Sequence, residues 1–454
     1  MVSNIEVVLT DERILPSGGL SLVGCILEKD DFIQRMNTFG ITGKRSGKQI
    51  KDGDILTSFI ALACMGKPDF DAIRELKDDP EFFKEALGLT RIPSSEILRQ
   101  RMDEIGDSKR NILLNENIRI LRANGVSPTK HPCGYIPVDL DVTPQDNSKT
   151  HKQGVSRTYK GYDGFAPMMC YIGTEGYLLN AELRPGSQHS QNGTPDFLRQ
   201  SIALARKLTL EPLMFRLDSG NDASENIGIF TDSGCSYIIK RNLRRENHEK
   251  WLKLAKSCCK DITKPRDGKT VYTGSTWKEV SYKTESQETK TTTVRVIYEI
   301  TERMTDKHGQ YLLEPEVEID TWWTNLPLSD REIIELYHAH GECEQYHSEF
   351  KTDMDLERLP SEKFATNALV IELGMIAYNI LRMIGQESLG IGVGQPRHKV
   401  RRRRLRTVIN DLIMMACHVT RHARRLRIGL GKSNFWRQPF LKVFNSFAQF
   451  DPMV

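Results

Sequence analysis

Apolar residues first recur at helical spacing over 54–65, where Ile55, Leu56, Phe59, Ile60 and Leu62 follow an Asp at a capping position and Gly66-Lys-Pro68 ends the run. A second periodic stretch starts behind Pro93-Ser-Ser95. It passes through Ile97, Leu98, Met102, Ile105, Ile112, Leu113, Ile118, Ile120 and Leu121 to Asn124-Gly125. Residues 1–130 therefore read as a helical N-terminal domain. The pattern changes at His131-Pro132. Strand-like runs follow at 135–142, 165–172 and 177–183, the last two joined by the hairpin signal Gly173-Thr-Glu-Gly176. A helix at 195–208, a strand at 213–217, a weaker helix and a strand at 236–239 complete a mixed α/β sheet over 131–240.

Residues 241–325 break this rhythm. They are polar with β-rich runs at 291–298 and 317–323, and read as a β-rich insertion. From 326 to 390 the chain returns to helix, one running through Glu349 and a second, very apolar one over about 364–384. Gly390-Ile-Gly-Val-Gly394 links this to a basic C-terminal region, 391–454, whose apolar stretch Leu412-Ile-Met-Met-Ala416 predicts a helical tail.

With 454 residues, two to four domains are expected, and 39% hydrophobic and 27% charged residues form an ordinary globular balance. No apolar run approaches the roughly 18 residues of a membrane helix, and the opening MVSNIEVVLTDERIL does not read as a signal peptide. Nine cysteines without a CxxC do not make a disulfide scaffold or a metal clamp. The expectation is a reduced, cytoplasmic protein with no membrane partner. The net charge of +4 conceals an asymmetry. Between Arg397 and Arg427 stand 11 Lys/Arg and one acid, a local +10, which leaves the remainder at −6 (+4 less +10). Such an excess points to a polyanion, against the alternative of a solvated or acid-paired face.

Phosphoryl transfer by two metal ions needs hard oxygen ligands around ions about 3.5–4 Å apart. Asp139-Leu-Asp141-Val-Thr143 closes an apolar strand, and alternation puts Asp139 and Asp141 on one face. Asp218 ends another strand in Leu217-Asp218-Ser-Gly220. Either Asp alone reads equally well as a turn cap. On the helix after residue 330, Tyr337, His340, Glu344 and Lys351 fall within a stripe about 60° wide at about 100° per residue. Glu335, Glu342 and Glu349 fall on the opposite side and read as a solvated face. Glu344 is therefore the preferred third ligand.

These residues resemble the DDE transposases of bacterial insertion sequences, in the group with a Tyr-x2-Arg-x3-Glu-x6-Lys signature. The run Tyr337-His-Ala-His340-Gly-Glu-Cys-Glu344-Gln-Tyr-His-Ser-Glu-Phe-Lys351 keeps the spacing, with His340 in place of Arg. Asp141-Val-Thr143 and Asp218-Ser-Gly220 match the settings of the first two acids. Leu183-Arg-Pro-Gly-Ser-Gln-His189, Phe364-Ala-Thr-Asn-Ala368 and Pro93-Ser-Ser-Glu-Ile-Leu-Arg-Gln-Arg101 agree, so the resemblance spans about 40–430.

The resemblance implies an α/β fold with a ribonuclease-H-like mixed-sheet core. Its two parts would be 131–240 and 326–390, interrupted by the β-rich insertion 241–325. It implies Asp141, Asp218 and Glu344 as catalytic metal ligands for two Mg²⁺ ions, with Mn²⁺ able to substitute. The partners are then double-stranded DNA, as transposon terminal inverted repeats and target, and a second copy in a homodimer. Work on the nucleoid follows. Tyr337, His340 and Lys351 are expected at the DNA, and Arg401, Arg402, Arg403 and Arg404 on its phosphates. The reaction would be metal-dependent cleavage and strand transfer of the ends, by cut-and-paste transposition. The alternatives are a catalytically silent, transposase-derived DNA-binding protein and a metal-dependent nuclease of related fold. The histidines show no HExxH or paired spacing, so no zinc site is expected, and no GxxxxGK[ST] supports ATP use. Trp322-Trp323 reads as core packing before base stacking. Lys149, Lys152, Arg157 and Lys160 read equally as a solvated loop or a DNA-following one.

Overall fold

The computed structural model describes residues 5–40, 42, 49–106, 110–244, 246–259, 261–306, 308–392, 398, 400–423 and 425–448. The chain forms two compact units. One comprises Met1–Val126, Lys149–Gln153 and Ser348–Val454, the other Ser127–Ser148 and Gly154–His347. Arg397 and Arg424 of the basic region, and Val393-Gly394 of its link, lie outside the described residues.

The first unit opens with α1 (Leu20–Glu28), α2 (Phe32–Phe39), α3 (Asp52–Cys64), α4 (Pro80–Leu87), α5 (Ser95–Ile105) and α6 (Arg110–Ala123). The starts are chemically specified. Asp79 caps α4 by accepting from the Phe82 amide at 3.0 Å, with Pro80 at the first position where no donor is needed. Ser94 does the same for α5 through Ile97. Every residue of α3 is buried, its acids included. Asp54 accepts from the Thr90 amide at 3.0 Å, and Asp52 pairs with Arg101.

The second unit is built on a nine-stranded sheet. Its strands are β1 (Ile136–Val142), β2 (Met168–Ile172), β3 (Tyr177–Glu182), β4 (Leu213–Leu217), β5 (Ser236–Lys240), β6 (Asp261–Arg266), β7 (Lys269–Lys283), β8 (Thr289–Thr305) and β9 (Tyr311–Thr324). They lie in the order β6-β7-β8-β9-β5-β4-β1-β2-β3. β1, β4 and β5 run parallel, and β2 and β3 follow as antiparallel neighbours. The helices α7 (Thr194–Leu208) and α8 (Ser224–Ser233) make the two crossovers a parallel trio requires. β2 and β4 are buried throughout, and β1 at all but Asp141, as continuous apolar strands covered on both faces should be.

The β-rich insertion, which also holds α9 (His248–Cys258), is no separate sheet. β9 pairs with β5 through Trp322↔Lys240 and Trp323↔Ile239 and so extends the central sheet. The Trp pair fastens this junction. Trp322 is 1% exposed, and Trp323 donates its indole N–H to Asp222 at 2.8 Å beneath the Arg241 guanidinium. Core packing, not stacking on a base, is their role.

The helix expected to run through Glu349 is broken. α10 (Asp330–His338), begun by a Ser329–Glu332 capping box, passes into a 3₁₀ turn at Ala339–Gly341 and then α11 (Glu342–Ser348). A π turn at Glu349–Asp353 follows in the first unit. Arg216 Nη1 donates to the Leu336 carbonyl at 2.7 Å, in the last turn before the break. The helical phase that aligned Tyr337, His340, Glu344 and Lys351 is therefore not maintained.

In the first unit the chain continues as α12 (Phe364–Gly390), long and apolar enough to cross a membrane by composition, yet with its most apolar window 94% buried in the fold. Its polar residues are paired. Asn379 donates to Asn117 at 2.8 Å, and the fully buried Arg382 binds Glu349, the Tyr378 hydroxyl at 2.7 Å and the Arg403 carbonyl at 3.0 Å. Glu349 is thus a buried counter-ion and not part of a solvated face.

The basic tail, expected to be helical, is so only in part. After α13 (Leu405–Val408) and a π turn at Ile409–Ile413 comes a β-hairpin, β10 (Cys417–His422) and β11 (Arg425–Leu430), and then α14 (Arg437–Phe447). The period is two: Cys417 and Val419 are buried in alternation, and Arg425 and Arg427 alternate outward with Leu426 and Ile428. Ile14 and Leu15 add a third strand.

Glu349→Ala leaves Arg382 buried without its carboxylate and should cost about 3–5 kcal/mol. The exposed Glu335→Ala should stay within about 0.5 kcal/mol. Urea unfolding followed by circular dichroism measures both.

Candidate active site

Parallel pairing places Asp139 opposite Arg216 and Leu140 opposite Leu217. Asp141 and Asp218 therefore stand one step later, side by side at the carboxyl ends of β1 and β4, where open α/β sheets bind ligands. Asp141 accepts from the Val142 amide at 2.8 Å and meets His347 Nε2 at 3.3 Å. Burial would raise its carboxyl, but His347, His340 and that amide together hold it below the ordinary value. Asp218 moves the other way. Burial and the negative Asp141 raise it, and Asn221 Nδ2, donating at 2.5 Å, offsets this only in part. The two neighbouring carboxylates are thus displaced in opposite directions, Asp141 stabilised by its partners and Asp218 penalised by burial and by Asp141.

Glu344 stands exposed on α11. Its charge reaches the same place: the hydroxyl of Tyr159, a residue 67% exposed overall, is raised by local desolvation and then by Asp141, Asp218 and Glu344. Tyr159 itself donates to the Val142 carbonyl at 3.4 Å. Tyr337, the last residue but one of α10, lies between Trp322 and His340 at ring distances of 5.7 and 5.9 Å. Burial, Asp218 and Asp141 likewise raise its phenol, so it stays a neutral donor. The structure thus gathers Asp141, Asp218, Glu344 and Tyr337 around one locus, without bringing the three carboxylates into mutual contact. Among the described residues, the trio of potential ligand atoms within 4.8 Å of one another is Asp141, Cys343 and His347.

Asp139 shares a face with Asp141 and does a different job. It is 2% exposed, and Arg216 donates to it from Nε and Nη2 at 2.6 and 2.7 Å. His340 Nδ1 adds a third contact at 3.0 Å. Burial opposes its ionisation, yet Arg216 and His340 hold the carboxyl down at about 2. His340, expected at the DNA, is placed with its Nδ1 on this buried carboxylate.

The arginine run, expected on DNA phosphates, has partners within the first unit. Arg402 lies 3.7 Å from Glu349, and Arg404 binds Asp353 at 2.8 and 3.0 Å. Arg403, 5% exposed, donates to Ser388 at 2.7 Å and lies over the Trp436 ring. These three serve the fold of the first unit, as acid pairing on a net-negative chain allows. Arg401 is exposed. Lys351, in the first unit, lies 3.9 Å from Glu357. Lys152 donates to the Leu359 carbonyl, a lysine tying a loop to its own unit.

Sequence reasoning missed His347, Cys343 and Tyr159. Cys343 and His347 are an i, i+4 pair, a signal present in the sequence but invisible to a search for histidine pairs.

The hard-oxygen chemistry expected at this locus fits the residues present. Two strand-end carboxylates repel each other, and beside Asp218 the fully buried Asn221 keeps its amide oxygen without a donor. A divalent cation would answer both.

A family model described as transposase DDE domain group 1 matches residues 2–452. Among solved structures, the cryo-EM synaptic complex of piggyBac transposase with hairpin DNA is similar at a TM-score of 0.38 and 11% identity, over 88% of this chain and 81% of that one. No curated protein sequence matches the chain. With the family model covering nearly its whole length, the chain belongs to the DDE-domain transposases of group 1.

Proposed function

We propose that this transposase cuts DNA at the ends of an insertion sequence and joins them to a target by cut-and-paste transposition. Asp141, Asp218 and Glu344 hold a pair of Mg²⁺ ions, for which Mn²⁺ substitutes. The observation that carries the reading is the pair of adjacent carboxylates, Asp141 and Asp218, at the carboxyl ends of β1 and β4. The strand order β3-β2-β1-β4-β5, with β2 antiparallel to β1, supports a ribonuclease-H-like core. The substrates are double-stranded terminal inverted repeats and target DNA, and a homodimer on the nucleoid brings the two ends together.

Bound there, the ion pair would activate the attacking hydroxyl and stabilise the leaving oxygen. The chain's own part is placement and donation. Arg216 and His340, both on Asp139, fix the strand ends relative to the α10–α11 turn, so Glu344 is presented from a held helix. Asn221 orients Asp218, and His347 with the Val142 amide orients Asp141. The neutral phenols of Tyr159 and Tyr337 can each donate to a phosphate oxygen without adding negative charge.

Ala at Asp141, Asp218 or Glu344 should abolish nicking of end-labelled DNA, a fall of at least about 10³-fold. Gel-shift affinity should change little, since phosphate contacts elsewhere dominate it. Glu342→Ala should nick normally; loss at Glu342 with survival at Glu344 would reassign the third acid.

Asp139→Ala, which strands Arg216, should lower stability by about 3–5 kcal/mol by urea unfolding and reduce nicking with it. His340→Arg places a second guanidinium against Arg216 and should lower the unfolding midpoint. A His340→Arg protein of unchanged stability and higher activity would return this position to the DNA.

A further inference from the structure

Against the catalytic acid lies a ligand set of a different chemical kind. Cys343 Sγ is 3.5 Å from His347 Nε2, which is 3.3 Å from Asp141 Oδ2. The thiol and the imidazole are 1% and 5% exposed, and all three ligand atoms fall within 4.8 Å of one another. Tetrahedral zinc with ordinary bond lengths separates its sulfur and nitrogen by about 3.6 Å and its nitrogen and oxygen by about 3.3 Å. Two edges of that tetrahedron are therefore already present. The third, sulfur to oxygen, needs about 3.6 Å, which rotation of the partly exposed Asp141 carboxylate can approach.

The surroundings suit a metal as well. Tyr171 Oη lies 3.2 Å from His347 Nδ1. In the tautomer protonated at Nδ1 the ring donates to that hydroxyl and turns an unprotonated Nε2 towards Cys343 and Asp141. This is the outer hydrogen bond that metal-bound histidines usually have. Cys343 and His347 are one turn apart on α11, so the helix itself sets their spacing. Thiolate and imidazole favour zinc over magnesium, which prefers oxygen ligands.

We propose that Asp141, Cys343 and His347 form a Zn²⁺ site that shares Asp141 with the catalytic centre, so that zinc occupancy withdraws this carboxylate from Mg²⁺ and stops cleavage. On binding, the Cys343 S–H bond breaks, its proton goes to solvent, and the sulfur–zinc bond takes its place. The fourth position faces the partly exposed side of Asp141 and is filled by water. Only the inhibitory consequence rests on the transposase reading; the binding site does not.

The test uses the full chain with Co²⁺ as a spectroscopic substitute. One equivalent should give a tetrahedral visible spectrum with a thiolate-to-cobalt band, displaced by Zn²⁺. Cys343→Ser and Cys343→Ala should both lose that band. His347→Gln should weaken Zn²⁺ binding by at least about tenfold. Cys258→Ser, at an exposed thiol, should change nothing. Zn²⁺ added at fixed Mg²⁺ should inhibit nicking by the wild type and spare any Cys343 variant that nicks in Mg²⁺ alone. A wild type without the thiolate band, or a band that survives both Cys343 variants, overturns the site. Nicking by the wild type that zinc leaves untouched overturns the shared carboxylate. If the wild type nicks with no metal while the cobalt band depends on Cys343, the transposase reading has failed and the zinc site stands.

Discussion

The carboxylate of Asp139 is the point on which the second unit's chemistry depends. It is buried in the sheet, where an unpaired charge is costly, and it stays ionised because Arg216 and His340 converge on it. Each partner brings a different element: Arg216 comes from β4, and His340 from the turn between α10 and α11. Arg216 also reaches the Leu336 carbonyl of α10. One buried anion thus registers two parallel strands and a broken helix. The residues just beyond it, Asp141, Asp218 and Glu344, inherit their placement from that registration.

This arrangement separates two tasks that a single Asp-Leu-Asp strand end might seem to duplicate. The inner Asp is neutralised and structural. The outer one is held by His347 and the Val142 amide, and beside it burial and the Asp141 charge raise Asp218. The neighbouring phenols hold their protons through desolvation first, with the carboxylates adding to it. The same economy governs the first unit, where Glu349 and Asp353 absorb Arg382, Arg402 and Arg404. The large positive excess along the sequence is thereby reduced before any polyanion arrives.

Much of this was legible from the residues. The strand ends at Asp141 and Asp218 follow from apolar runs that stop in an acid, and α3, α5 and α7 follow from periodicity, though only α5 has its expected cap, since α3 starts at Asp52 and leaves Asp54 inside the helix. What was not legible depended on distant partners. Nothing local says that His340 will meet Asp139, 201 positions away, or that Glu349 will face Arg382 and not water. The helical phase argument failed at Ala339–Gly341 because a 3₁₀ turn resets it. The tail misled for another reason: an apolar stretch near arginines suggested a helix, while the alternation at Cys417–Leu430 was the true, period-two signal.

The central claim is that Asp141 and Asp218 are paired to hold divalent cations. Crystals of the full chain grown with Mn²⁺ and measured at the manganese absorption edge test it most directly. The account predicts an anomalous peak between the Asp141 and Asp218 carboxylates, with Glu344 contributing to the manganese site. A manganese-loaded crystal with no peak between the two aspartates, or with its peak elsewhere, would contradict it.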